Sequence, residues 1–159
     1  MARIDLPPGD DDELVRLYMV NPTMGAAAAK FSDAIYNRSG LPIRVREAAR
    51  IRIAEINGCE VCLGTRTTST PEQLTETEYL GMADWRTLGT LSRREALAAE
   101  FAERFALDHR NLDDDFWARL RANFDDSEVF DLATCISGWL ALGRITQIFD
   151  AGVSCPLEL

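Results

Sequence analysis

Histidine is almost absent from this chain: His109 is the only one in 159 residues. With no HxxxH pair and no second CxxC, the sequence offers no four-ligand zinc set, and no metal is expected. Lysine is equally scarce, Lys30 standing alone, and the formal net charge is -9. A nucleic-acid surface needs clustered cations, so that class of partner is excluded. The densest arginine group, Arg44, Arg46, Arg50 and Arg52, is interleaved with apolar residues and acids; it reads as helix surface and internal ion pairing. Long apolar runs are missing too. The longest, Ala133 to Gly143, falls short of a bilayer span and meets Arg144. The start of the chain leads straight into PPGDDDE rather than an apolar stretch, so no signal peptide and no membrane association are expected, and the compartment expected is the cytoplasm. There is no sustained alternation of apolar and polar residues, and no hairpin turn between β-rich runs.

What is present is helical. Hydrophobic residues make up 47% and charged residues 27%, the balance of a globular domain, and the length suits one core. Acids open a helix over residues 10–20. Pro22 starts a second, with Met24, Phe31 and Ile35 on its apolar side. A third runs from Ile43 to Ile56 and stops at Asn57-Gly58. Thr70-Pro71-Glu72-Gln73 and Ser92-Arg93-Arg94-Glu95 read as capping boxes, the second heading a helix that carries Leu97, Phe101, Phe105 and Leu107. Asp113 or Asp114 caps a short helix with Phe116, Trp117, Leu120 and Phe124. The last helix, from about Ser127 to Asp150, ends at Gly152 and is apolar on nearly every face. It must run through the centre of the domain or lie between subunits, and Gly138 and Gly143 allow close helix contact. The expectation is one all-α domain over 1–159, with 1–12 a loosely ordered arm, assembled as a homo-oligomer (a dimer, trimer or hexamer).

The chemistry concentrates in NGCEVCLGTR, Asn57 to Arg66. Gly58 stops the third helix, so Cys59 stands at the start of the next, with Cys62 one turn in. A helix N-terminus lowers a thiol pKa, and residues three apart share a face, close enough to form a disulfide. In a cytosolic protein such a pair is read as redox or metal chemistry before a static bridge; packing of two small apolar residues is the plain alternative. Arg66, four residues beyond Cys62, would share its face as a permanent cation. Glu47 lies in an apolar sector of the third helix and should be partly buried, which calls for a partner or a raised pKa. Pairing with Arg44 or Arg50 on a solvated face is the plain reading of Glu47, and pairing with Glu47 that of Arg66. Cys135 reads as a buried cysteine, Cys155 as a tail residue, and His109 as a surface or capping residue. Trp85, Trp117 and Trp139 read as core.

REAARIRIAEINGCEVCLGTR, Arg46 to Arg66, resembles the core motif of the carboxymuconolactone decarboxylase family, in its alkylhydroperoxidase D-like branch. That motif has a Glu, a CxxC twelve residues on, and a His four after the second Cys. Glu47, Cys59 and Cys62 keep the spacing, and the flanking NPTMGAAAAKFSDAIYNRSGLPIRVRE and ADWRTLGTLSRREALAAEFAERF are similar to the family as well. The resemblance implies an all-α, alkylhydroperoxidase D-like helical bundle and a thiol-dependent hydroperoxide reductase. Cys62 would attack the peroxide, Cys59 would resolve the sulfenic acid, and an external dithiol protein would reduce the disulfide. No organic cofactor is implied. The family's His is Arg66 here, which breaks the Glu–His proton relay; Arg66 would aid only as a thiolate stabiliser, with Thr65 and Thr68 as candidate hydroxyl bridges, and activity would be weak. The alternatives are a decarboxylase acting on a small carboxylated lactone, held by cations such as Arg50 or Arg66, and a non-catalytic oligomeric or redox-sensing member.

Overall fold

The computed structural model describes residues 2–66, 74–87, 89 and 91–151. Among them there is no strand, and the helices follow in the order α1 (Glu13–Met19), α2 (Pro22–Asn37), α3 (Ile43–Asn57), α4 (Glu60–Gly64), α5 (Glu76–Ala83), α6 (Arg93–Asp108), α7 (Asp114–Arg121) and α8 (Asp126–Phe149), with one 3₁₀ turn at His109–Asn111. Local chemistry sets most boundaries. Asn21 Oδ1 accepts the Met24 N–H ahead of α2, whose first residue is Pro22. Thr75, Ser92 and Asp125 each form a capping box, with Glu78, Glu95 and Glu128 respectively. Gly58 ends α3 in the left-handed region, at φ +63.

The sequence reading of the last helix needs a correction. It ends at Asp150, itself in the left-handed conformation at φ 52, and not at Gly152, which lies outside the described residues. By length and composition α8 is apolar enough to cross a membrane, although the apolar run inside it looked too short. Here Leu132, Cys135, Ile136 and Trp139 are buried, while Phe130, Ile145 and Ile148 remain exposed. The central helix is instead α3, which packs against α5, α6 and α8 and buries residues on nearly every face. Each such Ile or Leu removed from water contributes roughly 1.5–3 kcal/mol.

Close approach of α8 depends on its glycines. A Cβ on Gly138 would stand 2.6 Å from Ile35 Cδ1, and one on Gly143 would stand 2.7 Å from Asn57 Nδ2. Asn57 also donates to the Trp139 carbonyl at 3.3 Å. The cavity described below lies along this α2–α3–α8 seam.

Several sequence expectations change. Met24 is 65% exposed and Leu107 62%; α8 reaches α2 at Phe31 and Ile35, beyond the first turn that holds Met24, and Leu107 lies in the last turn of α6. The box at Thr70 to Gln73 falls outside the described residues, and α5 begins at the Thr75 box. Arg44 and Arg52 do reach across helices, to Glu95 and Glu103 at 2.7 Å. Arg46 and Arg50 are buried rather than surface residues. Ahead of α1, the Arg3 N–H donates to the Phe149 carbonyl at 2.9 Å and Arg16 Nε to the Pro7 carbonyl at 2.8 Å.

Candidate functional site

Gly58 turns the chain from α3 into α4, a single turn of five residues, and makes Cys59 its N-cap. Cys59 Sγ accepts the Cys62 N–H at 3.2 Å. The two Cα atoms are 5.2 Å apart and the sulfurs are joined in a disulfide. Cys59 is buried, at 1% exposure, and Cys62 is half-buried. Of the two, Cys62 is therefore the sulfur that a dissolved molecule reaches first.

Behind the pair stands a buried ion pair that the sequence reading weighed only as a solvated one. Glu47 is 2% exposed and Arg50, one turn on, is 1% exposed. Arg50 Nε donates to both carboxylate oxygens at 2.9 and 3.0 Å, and Nη2 to Oε2 at 2.6 Å. Burial pulls the Arg50 pKa down, but the charge and hydrogen bonds of Glu47 outweigh it and raise the pKa above its ordinary value. The guanidinium then reaches across to α4: Nη1 donates to the Cys62 carbonyl and Nη2 to the Thr65 carbonyl, the latter at 3.0 Å. Glu47 thus acts on the cysteine turn through Arg50. Thr65 Oγ1 is spent on the Val61 carbonyl at 2.9 Å, and Thr68 lies outside the described residues.

Arg66 is elsewhere. The expected shared face with Cys62 does not form, because α4 ends at Gly64 and Thr65 is extended. The Arg66 guanidinium forks onto Glu76 at 2.7 and 2.8 Å and lies 4.3 Å over the Tyr79 ring. The partner considered for it, Glu47, faces Arg50 instead. Arg66→His should therefore leave hydroperoxide turnover within about threefold of wild type, since a new imidazole there would lack the Glu47 partner a relay needs. A gain near the ~10²-fold typical of an added acid–base group, measured in a reductant-coupled assay, would overturn that placement.

Both cysteines open onto a cavity of about 130 Å³ between α1, α2, α3, α4 and α8. Its walls are mainly apolar and aromatic, with Tyr18, Tyr36 and Trp139 supplying rings and Arg50 the buried charge. Tyr36 and Trp139 meet edge to face, ring centroids 6.2 Å apart. Burial raises the pKa of both tyrosines, so each phenol keeps its proton at neutral pH. Trp139 is core, as expected, at 6% exposure, and its ring also lines this cavity. Cys135 is buried in the α2–α8 contact, its Sγ 3.6 Å from the Ile35 carbonyl, where burial first, and then the Asp131 carboxylate, push its thiol up to about 12; it is inert at neutral pH. His109 is exposed at the end of α6. Among the described residues no cluster of His, Cys, Asp and Glu could hold a metal ion.

This arrangement of helices recurs in solved structures. A protein of unknown function from Agrobacterium tumefaciens, named for the antioxidant-defence protein AhpD, superposes with a TM-score of 0.76 over 99% of this chain and 100% of its own, at 21% identity. The chain has the alkylhydroperoxidase D-like fold. An uncharacterised peroxidase-related protein from Silicibacter shares the AhpD-like fold at TM-score 0.77 and 17% identity, over 95% of this chain and 91% of its own. So does the debrominase Bmp8, at TM-score 0.77 and 16% identity, over 91% and 78%. No family model matches the sequence. Among curated proteins it is 30% identical to the uncharacterised YnjA of Escherichia coli over 122 residues, which are 76% of this chain and 65% of YnjA. It is 27% identical to the uncharacterised YdfG of Bacillus subtilis over 112 residues, 69% of this chain and 76% of that protein. These likenesses show the fold, and within it this chain carries the Cys59–Cys62 pair.

Proposed function

We propose that this protein is a thiol-dependent hydroperoxide reductase. The observation that carries the reading is the Cys59–Cys62 pair in the wall of a mainly apolar cavity open to solvent, with the more reachable sulfur at Cys62 and its partner already bonded to it. The Cys62 thiolate attacks the terminal oxygen of the hydroperoxide, the O–O bond breaks, and Cys62 becomes a sulfenic acid while the alkoxide takes up a proton and leaves as alcohol. Cys59 then attacks the Cys62 sulfur and water departs, closing the disulfide. An external dithiol protein, itself oxidised to a disulfide, returns both thiols. Arg50, paired with Glu47, holds the Cys62 and Thr65 carbonyls and so fixes the cysteine turn. Because the Glu47 carboxylate is occupied by Arg50, the leaving alkoxide takes its proton from water, which favours slow turnover. Consumption of tert-butyl hydroperoxide with dithiothreitol as reductant tests the reading; no consumption above the protein-free rate refutes it.

Chemistry on a carboxylated lactone is disfavoured by the same geometry. Arg50 is neutralised by Glu47, Arg66 by Glu76, and exposed Asp12 stands in the cavity wall. Among the described residues of the wall, no unpaired cation is left to hold a carboxylate.

The reading includes assembly in the cytoplasm as a homo-oligomer. The exposed Phe130 and Ile148 of α8, with Met19 and Met24 before it, offer apolar surface to a second copy. Light scattering at micromolar concentration is expected to give a multiple of 17.7 kDa; a clean monomer would count against it.

A further inference from the structure

The size and wall chemistry of the cavity restrict what can approach Cys62. An apolar cavity of about 150 Å³ lined by aliphatic and aromatic side chains holds one benzene, and the cavity here measures about 130 Å³. One ring with a short substituent fills that space, and two fused rings exceed it. Rings from Tyr18, Tyr36 and Trp139 face this space together with Ile35, Ile53 and Leu142. The edge-to-face setting of Tyr36 and Trp139 leaves ring edges and faces available to a third aromatic group, the arrangement such rings prefer. Charge narrows the choice further. The buried guanidinium in the wall is matched by Glu47, the exposed wall residue Asp12 is a carboxylate, and the chain carries a net charge of -9. An anionic ring would give up its hydration with no free cation to receive it.

We propose that this cavity is a subsite for a single uncharged aromatic ring, so that the substrate presented to Cys62 is a small neutral aryl compound bearing the reducible group. The proposal rests on the reading of Cys62 as the reacting atom, and its test is made independent of that chemistry. The oxidised, disulfide-containing protein is titrated with three unreactive probes: toluene, benzoate and 1-methylnaphthalene. The readout is the indole N–H resonance of Trp139, assigned by its loss in Trp139→Phe. Toluene is expected to shift it saturably. Benzoate should bind at least about tenfold more weakly, a gap of about 1.4 kcal/mol, and methylnaphthalene should leave it unmoved. Val61→Phe, which places a ring in the wall beside Cys62, should remove the toluene response while the protein still unfolds cooperatively; should that variant not fold, Thr146→Phe fills the cavity from α8. No toluene shift, or benzoate binding as well as toluene, overturns the proposal. Toluene binding without hydroperoxide consumption would sink the redox reading and leave the ring subsite standing. Hydroperoxide consumption without toluene binding would do the reverse.

Discussion

Cys62→Ser is expected to reduce hydroperoxide consumption to the protein-free rate, and Cys59→Ser to leave a single turnover per protomer. The difference follows from position. Cys62 is half-buried and meets the cavity, so its loss removes the sulfur of the pair that a peroxide reaches first. Cys59 is 1% exposed and caps α4. Without it, Cys62 still forms a sulfenic acid, but nothing resolves it, and further peroxide carries it to sulfinic and sulfonic acids. A dimedone adduct on Cys62 in Cys59→Ser, with none in Cys62→Ser, is the expected mass-spectrometric signature. Equal multiple turnover in wild type and Cys62→Ser would exclude Cys62 as the peroxide-attacking thiol.

The second large effect falls on Arg50. Removing one member of a buried ion pair leaves a charge without its partner and costs about 3–5 kcal/mol. For a domain of this length that lowers the Tm by about 6–20 °C. Arg50→Met takes from the Glu47 carboxylate its buried cation, Glu47→Gln takes from the Arg50 guanidinium its buried anion, and both variants should show losses in this range. The double variant, with neither charge, should recover much of the stability, because a buried pair replaced as a whole is often close to neutral. It should not recover turnover, since the guanidinium then no longer ties the Cys62 and Thr65 carbonyls to α3. Thermal unfolding and hydroperoxide kinetics on the same four proteins separate the two roles. Full turnover in the stable double variant would reduce Arg50 to a purely structural residue.

The helices were legible where local chemistry decides them. Pro22, the Ser92 box, Asp113 and Gly58 punctuate the chain with signals that act over three or four residues, and the structure keeps each of them. The pairing of Cys59 with Cys62 was legible for the same reason. What the sequence could not show depends on how helices meet. The burial of Arg50 follows from α3 running through the centre of the domain, which no pattern within Ile43 to Asn57 dictates. A signal did exist: Arg50 stands three residues after Glu47 and so shares its face. Arg66 was misjudged because α4 was read one turn too long. The cavity joins α1, α2, α3, α4 and α8, and only the fold brings Tyr18, Tyr36 and Trp139 to one space.

The most direct test of the central claim uses wild-type protein, fully reduced, freed of reductant and mixed with one equivalent of tert-butyl hydroperoxide. The account predicts that one hydroperoxide is consumed per protomer and that peptide mapping finds Cys59 bridged to Cys62. Hydroperoxide left intact with both thiols free, or consumed with Cys62 driven to sulfonic acid and no bridge formed, would contradict it.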